Sequence, residues 1–127
     1  VTKVIPDLDQ KLTANAVRVP VPNGSLAILS LNVSKETSLE EVNSLLREAA
    51  LKGDLVNQIN YNINEECVSS DIVGNTCCSV YDSNATIVHP DKRNIVLYVW
   101  YDNEFGYTKQ VIRLAKYVAK VRRLQYY

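Results

Sequence analysis

Trp100-Tyr101-Asp102-Asn103-Glu104-Phe105-Gly106-Tyr107 joins an apolar run to a segment with helical periodicity. The apolar run predicts a strand from Asn94 to Tyr101, and a helix is predicted from about Tyr107 to Arg122. Asp102, Asn103 and Glu104 stand where the strand end meets the helix start, a place where ligands of open sheets bind. The same residue types also cap helices and form turns. The pattern of this stretch alone therefore leaves two interpretations open, a ligand site and a helix cap.

Alternating or apolar runs elsewhere predict further strands, from Asn15 to Val21, Leu26 to Ser34, Thr76 to Tyr81 and Thr86 to His89. Pro20 and Pro22 end the first of them, because proline donates no hydrogen bond to a strand ladder. Short connections join the first two strands, and Pro90 to Arg93 form the turn before the last strand. Strands joined by short connections pair in the antiparallel sense.

A helix from Leu39 to about Leu51 follows Ser38, with Glu41 placed to complete a capping box and Gly53 after its end. In the final helix, the predicted buried stripe consists of Val111, Leu114, Ala115, Val118 and Val121. Residues 54–66 are predicted as loop with a short strand, and residues 67–72 as a polar loop or short strand. The fold class is α+β, a mostly antiparallel sheet with two long helices packed on one face. The other sheet face would expose apolar side chains unless another subunit covers it.

Fourteen basic and fourteen acidic residues cancel, so net charge suggests neither nucleic acid nor a membrane as partner. Six basic residues between Phe105 and Tyr127 suit the end of a helix, whose dipole they complement. Three cysteines and one histidine show neither a disulfide framework nor zinc spacing. Reduced thiols, and the lack of a leader or a long apolar run, lead us to expect a soluble cytoplasmic protein.

The stretch from Trp100 to Tyr107 resembles the carboxy-terminal signature of the glyceraldehyde-3-phosphate dehydrogenase family. Further blocks that resemble the family come in its order and at about its spacing, across nearly all 127 residues. These blocks are Lys3-Val4-Ile5-Pro6-Asp7-Leu8, Lys11-Leu12-Thr13, Val17-Arg18-Val19-Pro20, Pro22-Asn23-Gly24-Ser25 and Val68-Ser69-Ser70-Asp71. The resemblance implies the carboxy-terminal part of the catalytic domain, as a single domain over residues 1–127.

In the parent enzyme, the resemblance implies conversion of glyceraldehyde 3-phosphate, NAD (or NADP) and phosphate to 1,3-bisphosphoglycerate and the reduced cofactor. A cysteine would attack the aldehyde, hydride would pass to the cofactor, and phosphate would release the acyl group. Two alternatives remain: a relative that acts on erythrose 4-phosphate, and a non-catalytic interaction module that kept the fold. The parent is expected to be a homo-oligomer that assembles through the sheet.

Three residues are candidates for binding sites. Arg18 stands in an apolar stretch, where a guanidinium either grips a phosphate with two parallel bonds or pairs with an acid across the sheet. The resemblance implies that Arg18 helps to hold the phosphate groups of the substrate and of inorganic phosphate. It also implies that Asn103, which can both donate and accept, contacts the nicotinamide amide, and that Tyr107 packs near the nicotinamide ring.

No catalytic residue and no metal ligand is expected in this chain. The family's nucleophile lies in a Ser-Cys-Thr-Thr-Asn-type stretch, which neither Cys67 nor Cys77-Cys78 matches, and His89 reads as an exposed turn residue rather than a base. The four glycines stand apart, so no Gly-x-Gly-x-x-Gly phosphate cradle and no Rossmann domain are expected. The chain opens at Val1 without Met and reads as a piece of something longer. Alone, it is expected to be inactive and to hold no cofactor tightly.

Overall fold

The computed structural model describes residues 1–121. Its elements in chain order are a 3-10 turn (Pro6–Leu8), β1 (Ser25–Asn32), α1 (Leu39–Leu51), β2 (Ile59–Asn62), α2 (Ser69–Ile72), β3 (Ser79–Val88), β4 (Asn94–Tyr101) and α3 (Phe105–Val118). Within this part of the chain, no helix has the length and apolar character that crossing a membrane requires.

The four strands form one sheet in the order β1-β4-β3-β2. β4 pairs in the antiparallel sense with both β1 and β3, whereas β2 runs parallel to β3. The expectation of an α+β fold with a mostly antiparallel sheet is therefore confirmed. The parallel edge strand β2 corresponds to the short strand that was expected within residues 54–66.

The strand predicted from Asn15 to Val21 is not formed, since residues 12–24 contain neither helix nor strand. Pro20 and Pro22 have no N–H to donate, and Val21 N donates to Val19 O at 2.9 Å, which turns the chain at Pro20. β1 therefore pairs with β4, not with the segment before it. Arg18 accordingly lies in an irregular segment and not in a strand.

β3 unites the two strands that were predicted from Thr76 to Tyr81 and from Thr86 to His89. Its register against β4 shifts between Asp82 and Ile87, so an irregularity interrupts the ladder that the sequence pattern had divided into two strands. The turn predicted between β3 and β4 is confirmed. There His89 N donates to Asn94 O at 2.9 Å, and Lys92 adopts a φ of 58°.

α1 begins where the sequence predicted, because Ser38 Oγ accepts a hydrogen bond from Glu41 N at 3.2 Å. The second half of the capping box differs: the Glu41 carboxylate accepts from the Thr37 hydroxyl at 3.0 Å. The helix lies against β2 and β3, with Val42 buried. Tyr81 O–H donates to Asn43 Oδ1 at 2.7 Å, and this bond fastens the helix to the face of the sheet that Tyr81 occupies.

α3 follows β4 as predicted but begins two residues earlier, at Phe105. Gly106 is its one buried residue, and the predicted apolar stripe is exposed in Val111, Leu114 and Val118 and, beyond the helix, in Val121. The prediction that this stripe is buried was wrong for this chain. Helical periodicity indicates that an apolar face exists, but it does not say which surface covers that face. The predicted helix end at Arg122 lies outside the described residues.

Candidate functional site

Asp102 directly follows β4 and is the most connected side chain at the end of the sheet. Its carboxylate is 1% exposed. Oδ1 accepts hydrogen bonds from Glu104 N at 2.8 Å and Phe105 N at 2.7 Å. Oδ2 accepts from Asn23 Nδ2 at 2.8 Å and Gly74 N at 2.9 Å. One side chain therefore joins the start of α3, the turn before β1 and the segment after α2.

These hydrogen bonds lower the pKa of Asp102 to about 2. The bond from the Gly74 backbone is the largest cause, followed by that from Phe105 N, and burial opposes them. A carboxylate that accepts several N–H groups is stabilised in its charged form. Asp102 is therefore an ionised acceptor at neutral pH, with its oxygens committed to the fold, and it is not placed to act as an acid or base.

Asn103 is the exposed neighbour of this buried carboxylate. Its Oδ1 accepts a hydrogen bond from Ser25 Oγ at 2.6 Å, which joins β1 to the β4–α3 junction. Since Asp102 caps the first turn of α3, Asn103 is not needed for that purpose. The two interpretations of this stretch thus apply to different residues: Asp102 is the cap, and Asn103 offers its amide to solvent.

The turn before β1 fits closely against its surroundings at Gly24. This residue has a φ of +99°, a backbone conformation that favours glycine. A Cβ atom there would also lie 3.3 Å from Ser69 O, at the start of α2. Gly24 N donates to Asn23 Oδ1 at 2.7 Å, so that Asn23 shapes its own turn while it bonds to Asp102. α2 is capped in turn by Asp71, whose carboxylate accepts from Val68 N at 2.9 Å.

Tyr107 lies in the first turn of α3 with 72% of its surface exposed. The helix start that carries it is close to the chain before β3, since a Cβ atom on Gly106 would lie 3.2 Å from Cys77 O. Only glycine permits this separation without a shift of the backbone. The position of Tyr107 is therefore determined by Gly106 and by the Asp102 cap.

Arg18 is exposed, and within residues 1–121 it forms no ion pair and no side-chain hydrogen bond. The acid partner across the sheet that the sequence left open as an alternative is not present in this part of the chain. The hydrogen bonds that connect Asn23, Ser25, Asp102 and Asn103 do not include Arg18. The structure thus brings the residues around Asn103 together, and it leaves Arg18 accessible and outside their hydrogen bonds.

The remaining candidates for chemistry lie away from Asn103 or are weakly reactive. His89 is exposed in the β3–β4 turn, as expected, although an acid does accompany it: Nδ1 is 3.3 Å from Asp91 Oδ1. Burial raises the pKa of the Cys67 and Cys77 thiols, which disfavours the nucleophilic thiolate. Cys77 and Cys78 precede β3 and are half-buried. Among the described residues, no group of His, Cys, Asp and Glu side chains could hold a metal ion.

Sequence analysis placed Asn23-Gly24-Ser25 only in the short connection between two predicted strands and in a block that resembles the family, and it missed the contacts of Asn23 and Ser25 with Asp102 and Asn103. These contacts join residues 78 and 79 positions apart, and no local pattern reports them. The usable signal was the placement of two polar side chains around a glycine just before a strand. Such residues stand at a strand end, where a neighbouring strand can bring other polar groups close.

Comparisons with known proteins give a consistent result. The family model described as "Glyceraldehyde 3-phosphate dehydrogenase, C-terminal domain" matches residues 1–103. A "Glyceraldehyde-3-phosphate dehydrogenase-like protein" of Pseudomonas aeruginosa is 50% identical over 94% of this chain and 25% of its own length. Glyceraldehyde-3-phosphate dehydrogenase of Claviceps purpurea is 42% identical over 94% of this chain and 35% of its own length. Glyceraldehyde-3-phosphate dehydrogenase 2 of Drosophila melanogaster is 45% identical, with 93% and 35% covered. The chain thus spans a quarter to about a third of the curated relatives it matches.

Proposed function

Because this chain belongs to the glyceraldehyde-3-phosphate dehydrogenase family, we propose that it supplies the carboxy-terminal part of the catalytic domain of a phosphorylating aldehyde dehydrogenase. The observation that carries the proposal is the match of the family's carboxy-terminal domain over residues 1–103. That range includes both Arg18 and Asn103. The accessible guanidinium and the outward amide that the structure finds at these positions support the roles given to them below.

The proposed parent reaction converts glyceraldehyde 3-phosphate and inorganic phosphate to 1,3-bisphosphoglycerate. NAD or NADP, when bound, supplies the hydride acceptor. The proposed contribution of this chain is to bind and orient, because its cysteines match no known nucleophile pattern of the family and its histidine stands in an exposed turn. The three free cysteines favour a reducing compartment, and we propose a cytoplasmic location on that ground.

In this proposal, Arg18 holds the phosphate group of the substrate or inorganic phosphate. The guanidinium is planar and offers two parallel, charge-assisted donors to a phosphate. Its exposure and its lack of an acid partner within residues 1–121 leave those donors available.

Asn103 and Tyr107 are the proposed contacts for the nicotinamide. Two observations support this proposal. The Asn103 amide is exposed and retains its two N–H donors, because Oδ1 is the atom engaged by Ser25. The Tyr107 ring, four residues further along, presents an apolar surface that is mostly uncovered. An amide donor and an uncovered aromatic face are each suited to a flat ring that carries a carboxamide.

The proposed parent is a homo-oligomer that assembles through the sheet. Ile28 of β1 is 58% exposed and pairs with Tyr98 of β4, which in turn pairs with Asp82. This row lies on the face opposite to Tyr81, whose hydroxyl binds α1. Asp82 at the far end of the row is buried, but Ile28 leaves an apolar side chain open at the β1 edge of this face, and such an exposed apolar edge is a surface for another subunit.

The proposal is tested in the full-length protein that carries this chain, by measuring cofactor reduction with glyceraldehyde 3-phosphate and phosphate. Arg18→Leu should raise the KM for both phosphate-bearing substrates by about one to two orders of magnitude, because a charge-assisted contact is worth roughly 1.5–3 kcal/mol. The KM for the cofactor should change little. Arg18→Lys should restore part of the loss, since an ammonium cannot reproduce the paired donors.

Arg47→Leu is the matched control, because Arg47 is an exposed arginine on α1 that forms no ion pair within the described part of the chain. It should leave all three KM values unchanged. The 127-residue chain alone should show no turnover. If it did show a turnover, and if Cys67→Ala or Cys78→Ala abolished it, the proposal would be contradicted. A lowered Tm for Arg18→Leu with an unchanged phosphate dependence would end the assignment of the anion site.

A further inference from the structure

We propose that the groove between α3 and residues 56–58 is a binding site for a chain of linked phosphate groups, such as inorganic tripolyphosphate or the triphosphate of a nucleotide. The groove has a volume of about 270 Å³. Its cationic wall consists of Lys109, Arg113 and Lys116 on α3. The inference does not rest on the proposed function, because the groove contains none of the residues to which that function gives a role.

The three cations lie on one face of the helix. They occupy positions i, i+4 and i+7, which share a face of an α-helix and extend over about 10 Å of its axis. Their positions therefore form a row along the groove. A ligand that carries its negative charges in a row, on successive phosphate groups, matches this arrangement better than a single phosphate does.

The charge of this wall is not compensated within residues 1–121. Lys109, Arg113 and Lys116 form no ion pair there, and none of the described residues that line the groove is acidic. α3 itself contains neither Asp nor Glu. Asp54 meets Arg113 through its backbone oxygen, which accepts from Nη2 at 3.4 Å. The groove is therefore a concave surface of positive charge, which attracts an anion.

The helix dipole accounts for only one of these cations. Cations are stabilised in the last turn of a helix, where Lys116 stands. Lys109 is instead the fifth residue of α3, in the half of the helix where the dipole is positive. It is also half-buried at the wall of the groove. An anion bound in the groove would stabilise a lysine in this position.

Hydrogen bonds hold the opposite wall, residues 56–58, in place. Gln58 O accepts from Ser79 N at 3.1 Å, which ties this wall to the start of β3. Gln58 Nε2 donates to Asp54 O at 2.5 Å, and the same oxygen accepts from Arg113. This shared acceptor joins the two walls to each other. The groove is thus formed by the folded chain before any ligand binds.

The first experiment titrates the 127-residue chain with inorganic tripolyphosphate at constant ionic strength and measures the Kd by calorimetry. All titrations use the Arg18→Leu background, so that the anion site proposed for Arg18 does not contribute. Lys109→Gln and Arg113→Gln should each raise the Kd by about three- to fivefold, the scale of one exposed charge pair. Arg113→Glu should raise it further, because a carboxylate would then face the ligand.

Lys120→Gln is the matched control. Lys120 is a basic residue that follows α3 and is not among the described residues that line the groove. The variant changes the net charge by the same amount and should leave the Kd unchanged. Equal increases for Lys120→Gln and Lys109→Gln would overturn the inference, since they would trace binding to overall charge. A lack of binding in the Arg18→Leu chain, or a hexaglutamate peptide bound as tightly as tripolyphosphate, would also overturn it.

The second experiment locates the ligand in the full-length protein that carries this chain. Lysines are acetylated in the presence and absence of tripolyphosphate, and mass spectrometry measures the extent of modification at each position. Tripolyphosphate should protect Lys109 and Lys116 but not Lys120. Equal protection of all three lysines, or protection of none, would overturn the inference.

A third titration, with ATP in place of tripolyphosphate, distinguishes the two sources of a phosphate chain. Ile112 lines the groove and is 47% exposed, so it offers an apolar surface to a nucleoside. Tighter binding of ATP that Ile112→Ala removes would support a nucleotide as the ligand. Equal or weaker binding of ATP, unchanged in Ile112→Ala, would support the inorganic chain.

Discussion

Asn23 Nδ2 lies 2.8 Å from Asp102 Oδ2, and this bond joins two residues 79 positions apart. It connects the turn before β1 to the residue after β4, so that this end of the β1–β4 pair is closed by side chains as well as by the ladder. The same carboxylate also caps α3. The geometry of the exposed residues around Asn103 therefore depends on a buried charge that no ligand needs to touch.

The stability of the chain should fall between about pH 4 and pH 2 because of Asp102. The pKa of this carboxyl is lowered from 3.8 to about 2, chiefly by the hydrogen bond from Gly74 N. A group whose pKa is lower in the folded state stabilises the fold above its unfolded pKa. That contribution is lost as the pH falls through the folded value. Urea midpoints measured from pH 5 to pH 2 should therefore decrease through this window.

Asp102→Asn should flatten this pH dependence and lower the midpoint at pH 7, because an amide nitrogen would face the donors of Asn23 and Gly74. Asp91 needs a parallel control, since hydrogen bonds from the backbone of Asn94 and Arg93 also lower its pKa. Asp91→Asn should reduce the dependence of the urea midpoint on pH only by the contribution of Asp91 itself. Equal slopes for the wild-type chain and Asp102→Asn would contradict the role given to Asp102.

Tyr81→Phe should destabilise the fold by about 1 kcal/mol, the usual net value of one hydrogen bond. Tyr81 is 2% exposed, and its hydroxyl donates to Asn43 of α1 while it accepts from Thr86 Oγ1 at 2.6 Å. A double-mutant cycle with Asn43→Ala, followed by urea unfolding, should give a coupling energy of roughly 0.5–1.5 kcal/mol.

Tyr98→Phe is the control for this cycle, because the Tyr98 hydroxyl forms no hydrogen bond within residues 1–121. It should have little effect on the urea midpoint. Additive effects of Tyr81→Phe and Asn43→Ala would show that α1 is held by packing alone.

Gly106→Ala should destabilise the chain even though alanine favours helices by about 1 kcal/mol over glycine. The added Cβ atom would lie 3.2 Å from Cys77 O and 3.3 Å from Cys78 Cα, both of which are backbone atoms that move only with the chain. Overpacking of this kind costs roughly 1–3 kcal/mol. The measurement is the Tm of the variant against the wild-type chain.

Gly53→Ala is a useful comparison for Gly106→Ala. A Cβ atom on Gly53 would meet nothing within 4 Å, but φ is +81°, so the substitution tests backbone strain without crowding. Gly106→Ser should be worse than Gly106→Ala, while at Gly53 the two should be similar. A stabilised Gly106→Ala would show that the contact with Cys77 relaxes freely.

The 127-residue chain should self-associate through the face of the sheet that carries Ile28. Sedimentation at increasing concentration should show growing species, and Ile28→Lys should reduce them because the charge would be buried without a partner. Leu114→Lys introduces the same charge on the exposed stripe of α3. The two variants together therefore distinguish association through the sheet from association through the helix. A monomer at high concentration, or a response confined to Leu114→Lys, would contradict association through the sheet.

Sequence patterns predicted those elements whose signals are local. Ser38 and Glu41 marked the start of α1, and the apolar run from Asn94 to Tyr101 gave β4 with its bounds. Both signals consist of neighbouring side chains and a short period, which a single segment contains. The turn between Pro90 and Arg93 was found for the same reason.

The failures concern partners that the local pattern does not contain. Val17, Val19 and Val21 alternate as a strand would, yet two prolines and the pairing of β1 with β4 leave that segment outside the sheet. Val111 and Leu114 have helical spacing, but the described chain offers no surface that covers them. For the site, the residue types of Asn103 and Arg18 suggested their chemistry. The hydrogen bonds that Ser25 and Asp102 form in this region join segments that are distant in the sequence, so no local pattern predicted them.

The pairing of β1 with β4 also has a consequence for synthesis on the ribosome. β1 is made more than sixty residues before the strand that completes its ladder. At about 5–20 residues per second, its apolar side chains wait roughly 3–15 s for that partner to be translated. During this interval the nascent chain presents Leu26, Ile28, Leu29 and Leu31 without a sheet to hold them. We therefore expect misassembly to begin, or a chaperone to bind, at β1 rather than at the strands that are made last.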